Sequence, residues 1–190
     1  LTRGVPGTHD TKILFTCLKK LKQKTFLKIT IPKFDKSLDD RCNKKKWIKV
    51  SKKPDIVIFE GWCVGASPEK KIGLSKSLNL LERLEDKNQI WRKKVNYELK
   101  NKNKKIFNLI DVLIYLKVPN FKYVFKWRFL QERKLQKKTS GKKIMNKKSL
   151  KRFIMFYERI TKSMLKNQLK ISDIKLDLDS KHRIKSFKIN

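Results

Sequence analysis

Residues 54–62 form the feature that most constrains the fold, because a continuous apolar run there ends in a carboxylate. The run, PDIVIFEGW, is typical of a buried parallel strand, and Glu60 stands where that strand would end. Ligands bind at this edge of open α/β sheets, so Glu60 is a candidate for chemistry, with Gly61 allowing a sharp turn and Trp62 offering a wall. The alternative is a core strand whose glutamate only caps the next helix.

Helix and strand patterns alternate along the rest of the chain. Helical spacing of apolar residues predicts helices over 10–23, 75–101 and 149–169, and a basic, aromatic run indicates a further helix over 121–138. Runs of β-forming residues predict strands over 25–31, 111–116, 174–178 and 183–189, with a long polar loop over 33–53. This alternation favours a three-layer α/β fold with a parallel sheet. A length of 190 residues favours a single domain, 1–190.

The net charge of +34, from 51 Lys and Arg against 17 Asp and Glu, is what a nucleic-acid binder would carry. However, only nine of the cations are Arg, Ala66 is the single alanine, and the lysines are spread over almost every polar segment. A binding patch should cluster. We therefore favour a solvated lysine-rich surface over nucleic-acid binding.

The cysteines and the hydropathy pattern indicate in which cellular compartment the protein is found. Cys17, Cys42 and Cys63 are far apart and odd in number, and they form no zinc or disulfide spacing with His9 and His182. The longest apolar runs are shorter than the roughly 18 residues of a membrane span. The sequence therefore favours a cytoplasmic protein without a membrane segment, and its oligomeric state stays open.

Three further segments carry groups suited to chemistry. Residues 3–10 place a cation, two glycines, an imidazole and a carboxylate in a turn before a helix, residues 32–41 place carboxylates beside cations, and residues 127–134 form a basic aromatic helix. Each has an ordinary alternative, respectively a helix-entry turn, a surface charge cluster and a solvated helix.

Taken in order, these segments resemble the D-glycerate 3-kinase family and related P-loop small-molecule kinases, which include uridine kinase and pantothenate kinase. The matching blocks are RGVPGTHD at 3–10, PKFDKSLDDR at 32–41, PDIVIFEGWCVG at 54–65, WRKKVN at 91–96, WRFLQE at 127–132 and RFIMFYER at 152–159. The resemblance implies a P-loop kinase fold and ATP-dependent, Mg²⁺-assisted phosphoryl transfer to a hydroxyl of a small metabolite, with glycerate as the leading acceptor.

The same resemblance implies roles for individual residues. Glu60, a catalytic group, would face the Mg²⁺-nucleotide and would either hold the metal through water or contact the substrate. Arg128, also catalytic, and Lys134 would contact phosphates from a lid over 121–148. The acceptor pocket would be lined by Arg3, His9, Asp10, Asp35, Lys36 and Arg41.

One departure from the family is the phosphate loop, whose pattern G-x-x-x-x-G-K-[ST] does not occur in these residues. The SGKK at 140–143 fails because Gln136 occupies the position of the first glycine. In the family this loop and an acidic residue precede the RGVPG block, so we expect a fragment cut before Leu1 that binds ATP poorly and is inactive alone. A non-catalytic remnant and a nucleic-acid-binding protein remain the alternatives.

Overall fold

The computed structural model describes residues 4–35, 40–138, 145–167 and 171–190. Arg3 and Lys36, both predicted site residues, lie outside them. The described chain divides into two compact units, a smaller one comprising Asp10–Gly61 and a larger one comprising the remaining residues. The single domain expected from the length stays a prediction.

The smaller unit begins with helix α1, Thr11–Leu21, as predicted. The Asp10 carboxylate accepts a hydrogen bond from the Ile13 amide at 3.1 Å, which satisfies one of the donors left free at a helix start. Strand β1, Ile29–Ile31, confirms the β-rich run that was predicted after the helix.

The segment that was predicted as a long loop contains three short strands instead. Two pairs of antiparallel strands form, β1 with β4 and β2 with β3. The new elements are β2 (Phe34–Asp35), β3 (Asp40–Arg41), a 3₁₀ turn (Lys44–Lys46) and β4 (Ile48–Val50). Strands of two or three residues are too short to show an alternating pattern, which is why the sequence did not reveal them.

The predicted strand at 54–62 is wrong, since these residues form no strand in the structure. Ile56 and Ile58 are 79% and 87% exposed, so the apolar run is not buried. A parallel strand is held by hydrogen bonds to neighbouring strands, and the described residues supply no strand that pairs with this segment. An apolar run alone therefore did not make a strand.

The single long helix that was predicted over 75–101 is also wrong. Polar side chains interrupt it: Asn79 accepts from the Glu82 amide at 3.0 Å, and Asp86 accepts from the Trp91 amide at 2.8 Å. Side chains of this type start new helices because they replace the missing backbone partners. The chain forms α2 (Lys71–Ser75), α3 (Leu80–Glu85), α4 (Ile90–Glu98), a π-helical turn (Leu99–Asn103) and α5 (Lys104–Phe107).

The larger unit contains a three-stranded sheet in the order β5-β6-β7. Its strands are β5 (Ile114–Lys117), β6 (Ile174–Leu178) and β7 (Ile184–Ile189), close to the three predicted runs. The first pair is parallel and the second antiparallel. The fold is thus mixed α/β with a parallel pair, which confirms the broad class.

Two long helices complete the larger unit, α6 (Phe121–Lys138) and α7 (Lys147–Asn167), both predicted. The apolar face of α7 forms much of the core, with Leu150, Ile154, Tyr157, Ile160 and Met164 all buried. Core clusters around these side chains include Val5, Val95, Leu99 and Val124. Among the described helices, none combines the length and apolarity that crossing a membrane requires.

Candidate functional site

The structure brings together two of the predicted acceptor-site residues, Asp10 and Arg41. Their side chains form an ion pair, with Arg41 Nη1 3.3 Å from Asp10 Oδ2, and both are about half exposed, at 48% and 46%. Asp10 uses its other oxygen, Oδ1, to cap α1. One carboxylate therefore fixes both the start of the helix and the direction of the guanidinium, leaving further N–H donors of Arg41 available for a ligand.

Asp35 lies on β2, the strand that pairs with β3. The register places Asp35 opposite Asp40 and Phe34 opposite Arg41, so the side chains of Asp35 and Arg41 point to opposite faces of the β2-β3 pair. Asp40 accepts a hydrogen bond from the Arg41 amide, at 2.6 Å. The register therefore does not bring Asp35 to the ion pair of Asp10 and Arg41, and the role of Asp35 at the acceptor stays a prediction.

The other predicted site residues are placed separately. In the smaller unit, Glu60 is exposed and belongs to the irregular segment rather than to a strand edge. In the larger unit, His9 and Lys134 are exposed, with Lys134 on α6. Their roles stay predictions.

Arg128, the predicted lid arginine, is held by its own helix. Its Nη2 lies 2.7 Å from Glu132 Oε1 and its Nη1 donates to Gln131 Oε1 at 2.9 Å. Its guanidinium also lies over the Phe153 ring of α7, 5.8 Å from the centroid. Glu132 accepts in addition from the Met145 amide at 3.1 Å, so this buried carboxylate joins α6 to the residues just before α7.

Residues 4–9, which belong to the predicted binding turn, form a loop on the core of the larger unit. Val5 and Pro6 are buried, whereas His9 is exposed. Gly7 has φ +93°, and a Cβ there would lie 3.0 Å from Cγ of Glu98. The apolar residues Val5 and Pro6 thus anchor the loop in the core, whereas His9 at its other end faces solvent.

Glu98, beneath Gly7, is a buried carboxylate with a 2% exposed side chain. Lys94 Nζ lies 2.8 Å from Oε1, and Lys102 Nζ lies 3.2 Å from Oε2. Burial raises the pKa of Glu98, but the hydrogen bonds and charges of the two lysines outweigh it and hold the pKa below its ordinary value. Glu98 therefore stays ionised under the loop at neutral pH.

Tyr157 contacts this loop and Trp62, and Thr161 contacts Trp62. The sequence did not predict either residue as part of the binding site. The Trp62 ring stacks on Tyr157, with centroids 4.3 Å apart, and Trp62 Nε1 donates to Thr161 Oγ1 at 2.9 Å. The expected wall is thus part of the core packing. Tyr157 lies in the RFIMFYER block, but its helical spacing is that of an ordinary core residue.

The described residues support neither a cysteine nucleophile at Cys63 nor a metal site made of protein side chains only. Burial raises the pKa of the Cys63 thiol to about 12, so this cysteine is a poor nucleophile at neutral pH. No group of three or more His, Cys, Asp or Glu side chains in the described chain is arranged to hold a metal ion by itself.

Comparison with known proteins supplies relatives, although no family model matches the chain. The uncharacterized kinase mug58 of Schizosaccharomyces pombe is 32% identical over 142 residues, covering 70% of this chain and 49% of mug58. The chloroplastic D-glycerate 3-kinase of Arabidopsis thaliana is 25% identical over 138 residues, covering 68% of this chain and 27% of the relative. The chain thus spans about half, or less, of the length of these curated relatives.

A solved structure shows the same fold. The D-glycerate 3-kinase of Cryptococcus neoformans superposes with a TM-score of 0.76 and 23% identity, over 99% of this chain and 69% of that one. The resemblance indicated by the sequence motifs is therefore confirmed. The chain is thus similar in sequence to proteins named as kinases, one of them a D-glycerate 3-kinase, and similar in fold to a second D-glycerate 3-kinase.

Proposed function

We propose that the protein containing this chain transfers a phosphoryl group from ATP to a hydroxyl of a small metabolite, with D-glycerate as the leading acceptor. The observation that carries the proposal is the similarity, over about 70% of the chain, to proteins named as kinases. The proposal includes a three-layer P-loop kinase fold whose phosphate loop lies outside these 190 residues. Alone, they should turn over little ATP, because a backbone cradle for phosphates would be missing.

The acceptor pocket in this proposal is formed by His9, Asp10, Asp35 and Arg41, together with Arg3 and Lys36. An anionic hydroxy acid suits Arg41, because a guanidinium binds a carboxylate through two parallel N–H donors. The ion pair with Asp10 engages Nη1 and keeps the planar group oriented. Such pre-orientation lowers the entropy cost of binding the acceptor.

Glu60 is the proposed ligand for Mg²⁺, acting through water. The residues present fit this ion, since Mg²⁺ in kinases is held by one or two carboxylates together with substrate phosphates, and Glu60 is an exposed carboxylate. When bound, the ion would neutralise charge on the β- and γ-phosphates. Glu60 would then orient that ion.

Arg128 and Lys134 are the proposed lid cations. Phosphoryl transfer depends on cations that meet the charge on the transferring group, and a closing lid also excludes water. Lys134 is exposed on α6 and already available. Arg128 would have to share or leave Glu132, which holds its Nη2 at 2.7 Å.

The test is ATP consumption by the full-length protein with glycerate, pantothenate and nucleosides side by side. We expect turnover with glycerate and little turnover by the 190 residues alone. Glu60→Gln should lower kcat about 10- to 100-fold, the usual cost of losing a group that orients a bound metal. The matched control is Asp55→Asn, an exposed carboxylate of the same segment. Acceptor-independent ATP consumption would refute the proposal, and unchanged turnover in Glu60→Gln would remove Glu60 from the mechanism.

We further propose a cytoplasmic location. All three cysteines are free thiols, as is usual in a reducing compartment. The Arabidopsis relative is named chloroplastic, so imaging of a fluorescent fusion of the full-length protein is the deciding measurement. Fluorescence confined to an organelle would contradict this proposal.

A further inference from the structure

Tyr157 of α7 lies directly under the backbone of the loop at residues 4–9. Gly4 has φ +114°, and a Cβ there would overlap Tyr157 Oη and lie 3.2 Å from Cζ. Both the backbone angle and the lack of space exclude a side chain at this position. The loop therefore rests on the phenol at Gly4.

The side chain of Tyr157 is itself held in place by Trp62 and, through Trp62, by Thr161. Its ring is 4% exposed and stacks on Trp62 with an interplanar angle of 16°. Thr161 accepts from Trp62 Nε1 and donates to the Tyr157 carbonyl, at 2.9 Å in both cases. These contacts make Tyr157 a rigid support, because neither ring can turn without breaking a buried contact.

Hydrogen bonds within the loop connect Gly4 to Thr8, the residue just before the exposed His9. The Gly4 amide donates to Thr8 Oγ1 at 2.8 Å, and Thr8 Oγ1 donates to the Val5 carbonyl at 2.7 Å. The Thr8 amide donates to the same carbonyl at 3.1 Å. His9 follows Thr8 directly. The contact between Gly4 and Tyr157 therefore also fixes the backbone at His9.

We propose that Tyr157 is a positioning residue for the acceptor: its Oη fixes the loop at Gly4 and so sets where His9 meets the acceptor. This inference rests on the proposed function, which assigns His9 to the acceptor pocket. Tyr157 itself is buried and acts through the loop rather than by touching substrate.

The decisive variant is Tyr157→Phe in the full-length protein, because it removes Oη and keeps the ring that stacks on Trp62. We expect faster amide hydrogen exchange in a peptide covering residues 4–8. We also expect a rise of about two- to tenfold in the KM for glycerate, the range of one modest polar contact, with kcat and the KM for ATP unchanged. The matched control is Tyr97→Phe, a 57% exposed tyrosine of α4, which should change neither quantity.

A second pair of variants tests the contact itself. Gly4→Ala inserts a methyl group where Oη lies, so it should raise the KM for glycerate more than Tyr157→Phe does. Adding Tyr157→Phe to Gly4→Ala makes room and should restore part of the loss, a non-additive result expected only for groups in contact. Strictly additive effects would contradict the proposed contact.

The outcomes separate this inference from the function on which it rests. Unchanged exchange at residues 4–8 in Tyr157→Phe overturns the inference, whatever the activity. Faster exchange with an unchanged KM for glycerate also overturns it, because the loop then does not position the acceptor. Absence of turnover by the full-length wild-type protein with every acceptor refutes the proposed function instead.

Discussion

At the scale of single residues, Asp10 shows how one carboxylate can serve the fold and a site together. Its Oδ1 caps α1, and its Oδ2 pairs with Arg41, which lies 31 positions further along the chain. The cap is a local feature with a sequence signature, whereas the ion pair depends on where the hairpin returns. Both residues were predicted as site residues, but their pairing was not predictable from the sequence.

This pair gives a prediction that separates function from stability. Arg41→Ala should change the free energy of unfolding by less than about 1 kcal/mol, because half-exposed ion pairs contribute little. If Arg41 holds the carboxylate of the acceptor, the same change should raise the KM for glycerate in the full-length protein by at least about tenfold, the cost of losing a charge-assisted hydrogen bond. Steady-state kinetics and urea denaturation measure the two effects.

Arg83→Ala is the control, since Arg83 is an exposed arginine on α3 that has no proposed role. It should leave the KM for glycerate and the KM for ATP unchanged. An Arg41→Ala effect confined to ATP would assign Arg41 to the nucleotide instead of the acceptor.

At the scale of elements, Arg159 joins the short helices to α7. Its guanidinium donates to Glu82 of α3 at 2.6 and 2.7 Å, to Glu69 at 3.0 Å and to the Gly73 carbonyl of α2 at 2.7 Å. Burial raises the pKa of Glu82, but the hydrogen bonds and charge of Arg159 hold it below its ordinary value. Helices of five and six residues are marginal alone, so these contacts keep them in place.

We therefore expect Arg159→Met to lower the free energy of unfolding by about 3 kcal/mol, because it leaves Glu82 buried without its partner. The stabilisation by this pair is complete above the ordinary carboxylate pKa and is lost as the pH falls from there through the lowered pKa. Urea denaturation at pH 7 and at acidic pH measures both effects. Adding Glu82→Leu should recover part of the loss, whereas equal stabilities of Arg159→Met and the wild type would show that the contacts are dispensable.

The elements also show how far the sequence could predict the fold. The helices α1 and α7 were predicted because a 3.6-residue apolar period runs through eleven or more residues of each, whereas α6 was predicted from a basic and aromatic run. The strand at 54–62 and the helix at 75–101 were wrong, because pairing partners decide the first and side-chain caps at Asn79 and Asp86 interrupt the second. Tyr157 was missed as a positioning residue because its contact with Gly4 depends on tertiary structure.

At the scale of the whole molecule, electrostatic repulsion and apolar attraction between copies of the chain oppose each other. The net charge of +34 repels other copies of the chain. The attractive term is one face of the β5-β6-β7 sheet, where the register aligns Ile114 with Ile174 and Ile189, and Leu116 with Leu176 and Phe187. Cross-strand partners share a face, so these six apolar side chains form one apolar surface. Four of them, Ile114, Leu116, Phe187 and Ile189, are between 53% and 69% exposed.

Salt decides between these two terms, because it screens charge repulsion and leaves apolar attraction in place. The Debye length falls from roughly 30 Å at 0.01 M to about 3 Å at 1 M ionic strength. We therefore expect the 190-residue chain to associate more strongly as sodium chloride rises over that range, as measured by sedimentation velocity. Phe187→Lys should reduce this association, because it places a charge in the apolar surface.

Ser186→Lys is the matched control, since it adds the same charge one position away. Successive side chains of a strand point to opposite faces, and Ser186 pairs with Asp177, outside the apolar surface. The two variants have equal net charge and equal long-range repulsion, so any difference between them comes from the apolar surface. Association that weakens with salt, or that is the same in Phe187→Lys and Ser186→Lys, would exclude this surface as the contact between copies of the chain.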